Sequence, residues 1–250
     1  MKKDVSVLLI FLTLWLSFGI SLQETIDVTL QENEIMITFI PLRHGEAVLV
    51  KNNDNQAILI DLSGENNEKE LLKILNFYQV HQLEVFFVLK ETEEIKEMTK
   101  RLIKEIPIKQ LMLPSSHQVE EQMVLPFLDE FFIQFIQTNT TTMSVILHYG
   151  KNQLLVTNDT EVSFSNNFSQ TVPFSLVYIH RKMLNIETLE SLIKQTKSEI
   201  ILFRSKKEQS ELIEKMKEKW VEMYNLNALG HVIITCTKEE YDMIFLDMNQ

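Results

Sequence analysis

The sequence predicts an α/β fold whose plan is laid down twice. Short apolar runs rich in strand formers alternate with segments of helical period, and each half opens on antiparallel-type strands before that alternation begins. Strand, helix, strand, helix, strand at this spacing is the pattern of βαβ units and a mostly parallel sheet.

The first half starts with strand formers at 35–40, a turn at 41–46 that contains Gly45, and a return strand at 47–50. Residues 51–55 (KNNDN) make a polar hairpin turn, and 57–62 a third strand that ends at Ser63 and Gly64. Residues 68–78 place Leu71, Leu72, Ile74, Leu75 and Tyr78 at helical spacing. The run 83–89 (LEVFFVL) reads as a buried strand. Residues 93–106 follow as an amphipathic helix with Ile95, Met98, Leu102 and Ile103 on one face, stopped by Pro107. Residues 110–113 read as another buried strand, ended by Pro114.

The second half repeats much of this. Residues 124–135 are aromatic-rich and 138–142 polar, without a regular reading. Strands at 143–148 and 153–157 flank a turn at Gly150, followed by a strand at 174–179, a helix at 186–196 and a strand at 199–203. A long helix is expected over 208–224, and strands at 232–237 and 241–246 close the chain as a hairpin.

Composition narrows the class. The 250 residues are 45% hydrophobic, and mean hydropathy is −0.03, which suits a sizeable core. With 24 basic against 35 acidic residues the net charge is −11, and the basic residues lie mostly among acids, as in 214–219 (EKMKEK). A nucleic-acid surface needs clustered Lys and Arg to displace phosphate counterions, so the charge argues against direct nucleic-acid binding. There is no P-loop, no G-x-G-x-x-G and no G-x-S-x-G elbow.

Residues 1–23 stand apart from the domain expected over 35–250. Lys2 and Lys3 precede an uncharged apolar run at 5–20, too short to span a bilayer comfortably and suited to a signal-peptide core. Gly19 and Ser21 have cleavage-site spacing; the alternative is an uncleaved anchor with the lysines inside. Either way the segment implies membrane contact and a globular domain at the cell membrane or outside the cell. The single cysteine, Cys236, lies in an apolar run and reads as a core residue; alone it makes no intramolecular disulfide and no multi-thiolate zinc site.

Residues 39–50 (FIPLRHGEAVLV) resemble the opening hairpin, F-L-D-V-G-Q-G-D-A-I-L-I, of the metallo-β-lactamase fold as found in bacterial ComEC-type competence proteins. Glu46 stands at the family's aspartate. Residues 59–64 (LIDLSG) resemble its L-I-D-x-G-G block, and 153–159 (QLLVTND) its f-L-L-T-G-D strand, which puts Asp159 at the aspartate that bridges two metals in active members. Residues 176–180 (LVYIH) resemble the strand before the H-H-G turn, of which His180 survives while Arg181 and Lys182 replace the rest. The resemblance implies a metallo-β-lactamase-like αββα sandwich over 35–250. It implies cleft residues at Arg43, His44, Glu46 and Asp61, and remnant metal positions at Asp159 and His180.

The departure lies where active members carry H-x-H-x-D-H. Here residues 90–95 read KETEEI, without a histidine. The family's histidines and carboxylates hold zinc, which lowers the pKa of bound water to about 7. Glu91, Glu93 and Glu94 are expected instead to open the helix, where acids complement its dipole. The six histidines form no H-x-H pair. The expectation is an exported or membrane-anchored protein without a resident metal or hydrolase activity, a pseudoenzyme acting as a binding module for a protein or small molecule. The alternatives are a metal-dependent, phosphodiesterase-like hydrolase using zinc at Asp159, His180 and acids near Glu93, or an accessory role in DNA uptake.

Overall fold

A computed structural model describes residues 29–60, 67–115, 122–124, 129–139, 141–158, 173–180, 185–207 and 209–246. The N-terminal segment 1–23, Asp61, Asp159, Arg181 and Lys182 lie outside these residues.

Two seven-stranded sheets stack face to face. In the first, β1 (Ile35–Leu42), β2 (Gly45–Asn52) and β3 (Ala57–Ile60) form an antiparallel meander, and β4 (Leu83–Phe87) and β5 (Ile108–Met112) extend it in parallel. In the second, β6 (Gln122–Val124), β7 (Phe131–Asn139), β8 (Thr142–Tyr149) and β9 (Asn152–Thr157) are antiparallel. Strands β10 (Leu176–Ile179), β11 (Ile200–Phe203) and β12 (Glu222–Asn225) follow in parallel. The chain end then returns to the first sheet, where β13 (His231–Cys236) pairs with β1 and β14 (Tyr241–Leu246) with β13.

Helices cover the outer faces. The helices α1 (Glu68–Phe77) and α2 (Glu93–Glu105) bury Leu71, Leu75, Met98 and Leu102 against the first sheet. The helices α3 (Ile186–Thr196) and α4 (Ser210–Lys217) bury Leu189, Leu192, Leu212 and Met216 against the second. A short α5 (Leu226–Leu229) leads to β13. Among the described residues no helix is long and apolar enough to cross a membrane.

The central layer follows from strand alternation. Phe39, Val48, Ile60, Phe87 and Leu89 of the first sheet face Val156, Tyr178 and Leu202 of the second in one apolar cluster. The Phe39 and Tyr178 rings lie 5.0 Å apart, and those of Phe87 and Phe135 5.3 Å. Cys236 is fully buried in this layer, and burial pushes its thiol up to about 12, a core residue as read from the sequence.

Several sequence expectations are corrected. The long helix over 208–224 is the short α4 followed by β12: Trp220 takes a left-handed backbone (φ 62), and the chain re-enters the second sheet. The polar stretch at 138–142 belongs to the β7–β8 hairpin, whose pairing shifts between Gln137 and Asn139. β5 is an edge strand and only partly buried: Lys109 and Gln110 are exposed and Met112 is buried. Ile103 is 45% exposed, and Thr99 takes its place on the buried face of α2. The turn at 41–46 tightens to Arg43 and His44, because Pro41 pairs with Glu46 and Leu42 with Gly45. Pro41 is tolerated because β13 pairs with β1 no further than Phe39, so no ladder bond is lost there.

Candidate functional site

The ends of β3, β4, β9, β10 and β11 and the β1–β2 turn meet at one edge of the sandwich, the position where parallel strands leave a crevice beyond their carboxyl ends. Alternation sets what points inward there. On three neighbouring strands of the second sheet, the residue two past the last core side chain is polar: Asn158 after Val156, His180 after Tyr178, Arg204 after Leu202. Glu46, two before Val48 on β2, meets them from the first sheet.

Glu46 is 3% exposed and holds this layer together. One carboxylate oxygen meets His180 Nδ1, and the other lies 3.1 Å from Arg204 Nη1. The Arg204 guanidinium also donates to the Gly45 carbonyl, to the Leu42 carbonyl at 2.5 Å and, through Nε, to Asn227 Oδ1 at 2.7 Å. Burial alone would raise the Glu46 carboxyl. The hydrogen bond and charge of His180, then Tyr178 and Arg204, outweigh it and hold the carboxyl below the ordinary carboxylate range. An ionised, buried carboxylate bonded to residues of the opposite sheet fastens the two sheets at the crevice.

Asn158 sits beside His180, whose N–H donates to the Thr157 carbonyl at 2.7 Å. Its amide nitrogen and oxygen are both buried and have no hydrogen-bond partner among the described residues. Arg43 and His44 form the exposed tip of the β1–β2 turn. The Arg43 N–H donates to Glu70 Oε2 at 2.9 Å and the His44 N–H to Asn67 Oδ1 at 3.2 Å, so α1 fixes the turn. Asp61 and Asp159, two further sequence candidates, lie outside the described residues.

The segment after β4 has a different employment. Lys90 forms a backbone bridge with Thr142, and the Glu91 N–H donates to the Thr141 carbonyl at 2.8 Å, which ties the segment to β8 across the sandwich. Glu91 accepts from the Ser115 N–H at 3.1 Å and pairs with Lys96 at 3.1 Å. Thr92 caps α2, its hydroxyl accepting from the Ile95 N–H at 3.3 Å. Glu93 and Glu94 occupy the first turn, while Ile95 is buried in the outer core. Glu91 therefore precedes the helix rather than opening it, a correction to the sequence reading.

Zinc needs three or four His, Cys or carboxylate ligands converging on one point. Among the described residues no group of three such side chains does so. His180 meets Glu46 through Nδ1, so a metal would have to be met through Nε2, and Asp61 and Asp159 lie outside the described residues.

Sequence reasoning singled out Glu46 and His180 but did not join them, and it missed Arg204 and Asn158. The signal for Arg204 was present: an arginine directly after the apolar run 200–203, two positions past an inward-facing leucine.

No protein-family model matches the chain, and no curated protein sequence matches it. Among solved structures, a diphosphatase of the PhnP family superposes with a TM-score of 0.52 at 8% identity, covering 85% of this chain and 99% of its own. Human short-form tRNase Z gives 0.46 at 8% identity over 76% of this chain and 96% of its own. Tm1679, a metal-dependent hydrolase of the β-lactamase superfamily, gives 0.46 at 9% identity over 85% and 100%. At such identities the likeness speaks for architecture alone, and the architecture of this chain is the metallo-β-lactamase-like αββα sandwich.

Proposed function

We propose that this chain uses a hydrolase scaffold for binding, as an exported or membrane-anchored module whose crevice holds a ligand without hydrolysing it. The observation that carries this reading is the use to which residues 90–95 are put. A bridge, an ion pair, a helix cap and a core isoleucine occupy the stretch that the resemblance assigns to metal ligands. Rebuilding that motif requires Lys90→His, Thr92→His, Glu94→Asp and Ile95→His together, which removes a cap and puts an imidazole into the outer core. The ligand is a protein or a small molecule that enters beside Asn158 and His180. Residues 1–23 bring the 35–250 domain to the membrane and place it outside the cell.

Metal analysis of the purified protein tests the reading. The expected result is no stoichiometric zinc and no rise in unfolding temperature with micromolar Zn²⁺, since a ligand that binds the native state raises its stability. Tightly bound zinc, or a metal-dependent phosphodiesterase activity abolished by Asp159→Ala, would establish the hydrolase reading in its place.

A further inference from the structure

Among the described residues four strands bound the two sheets, and edge strands present unpaired N–H and C=O groups that template the addition of another strand. Three of these edges are blunted. β5 lies between Pro107 and Pro114 and carries Lys109, ion-paired with Glu84 at 2.8 Å. β12 has four residues, entered from the left-handed Trp220 and running directly into α5. β6 has three. β14 is unlike them: six residues (YDMIFL) without Lys, Arg, Pro or Gly, in unbroken register with β13. Ile244 is 50% exposed and Phe245 42%.

The hairpin dictates which backbone groups face outward. The Thr237 N–H donates to the Glu240 carbonyl at 2.9 Å. Antiparallel pairs alternate from there, so Asp242, Ile244 and Leu246 bond to β13, while the N–H and C=O groups of Tyr241, Met243 and Phe245 point off the sheet. None of these outward groups meets a partner among the described residues.

We propose that β14 is a homodimer surface, on which a second copy of this chain pairs antiparallel across a two-fold axis at Ile244. The occupant follows from the strand's self-complementarity. In that register Met243 lies opposite Phe245 of the second copy, and both present outward groups, so each such pair exchanges both hydrogen bonds. Ile244 meets its own counterpart on the outer face and is shielded from water. Asp242, the one charge on the strand, falls opposite Leu246 and never meets itself, which avoids the penalty of like charges directly across a ladder. The two first sheets become one continuous sheet. Because each copy carries a net charge of −11, the association strengthens as salt rises.

Cysteine cross-linking on the full chain tests this, since its own cysteine is buried and silent. Ile244 sits at a non-hydrogen-bonded pair on the axis, where facing Cα atoms approach to about 4.5 Å, within reach of a disulfide. Ile244→Cys should convert under mild oxidation to one dimer band that dithiothreitol reverses. Trp220→Cys, at a position 88% exposed, should cross-link about tenfold more slowly because it reports random collision rather than effective concentration. Ile244→Lys should reduce the sedimenting species to a monomer whose unfolding temperature no longer depends on protein concentration. A wild-type monomer at high protein concentration and salt, or Ile244→Cys cross-linking no faster than Trp220→Cys, would overturn the proposal.

Discussion

The two sheets end at the same edge and use that edge in opposite ways. Behind β4, the first sheet turns its polar residues back on the scaffold: Glu91 holds Ser115 and Lys96, and Thr92 caps α2. Behind β9, β10 and β11, the second sheet aims Asn158, His180 and Arg204 into the crevice. Glu46 crosses between them and is claimed by the second sheet. Equivalent places in a repeated βα plan therefore carry different duties, and polarity at a strand end identifies function only when its partners are known.

Five substitutions, one of them read against pH, probe this contrast. Glu46→Ala leaves the Arg204 and His180 side chains, 12% and 25% exposed, without their carboxylate. Breaking a buried pair in this way costs about 3–5 kcal/mol in urea unfolding. Glu91→Gln, whose partner Lys96 is 39% exposed, should cost less than about 1 kcal/mol. Equal losses at the two positions would erase the distinction between the sheet ends.

Acidification separates the crevice cluster from two neutral histidines elsewhere. Burial lowers His148 and His231 to about 4 from 6.5, so the unfolded chain binds protons that the native state refuses. Stability is full above pH 6.5 and falls between there and pH 4, by on the order of 3 kcal/mol per histidine. Glu46 works lower: its contribution is present above the ordinary 4.5 and is lost as pH falls through its depressed value. Thermal unfolding of His148→Gln at pH 7 and pH 5 should show a smaller acid loss than wild type. An unchanged loss would assign the sensitivity to other groups.

Thr92→Ala removes the α2 cap and should lower stability by about 1 kcal/mol, without affecting anything the crevice binds. Asn158→Leu should do the reverse, because an amide buried without partners is a liability in the free protein. Its stability should rise by about 1 kcal/mol in chemical denaturation. A fall instead would show that the amide is partnered inside the fold rather than held for a ligand.

Much of this architecture is legible in the sequence. The α3 bounds, the β1–β2 hairpin and the closing β13–β14 hairpin follow from period and turn chemistry. What failed did so for tertiary reasons. The charged stretch through 219 has helical period, but the chain turns at Trp220 and the edge of the second sheet takes up the next residues as β12. The 138–142 stretch carries no apolar alternation, and its two ends are strand because Asn139 of β7 pairs with Thr142 of β8. The crevice was half legible. Glu46 and His180 appeared through a resemblance, whereas their contact depends on the stacking of two sheets, a distance that no sequence spacing encodes.

The pairing of β1 with β13 has a consequence in time as well as in space. β1 is flanked on one side by a strand made much later, so the first sheet stays open along β1 until β13 has been synthesised. Pairing so distant in sequence raises contact order, which slows folding. A nascent chain halted before His231 presents a long apolar strand edge to chaperones or to its neighbours.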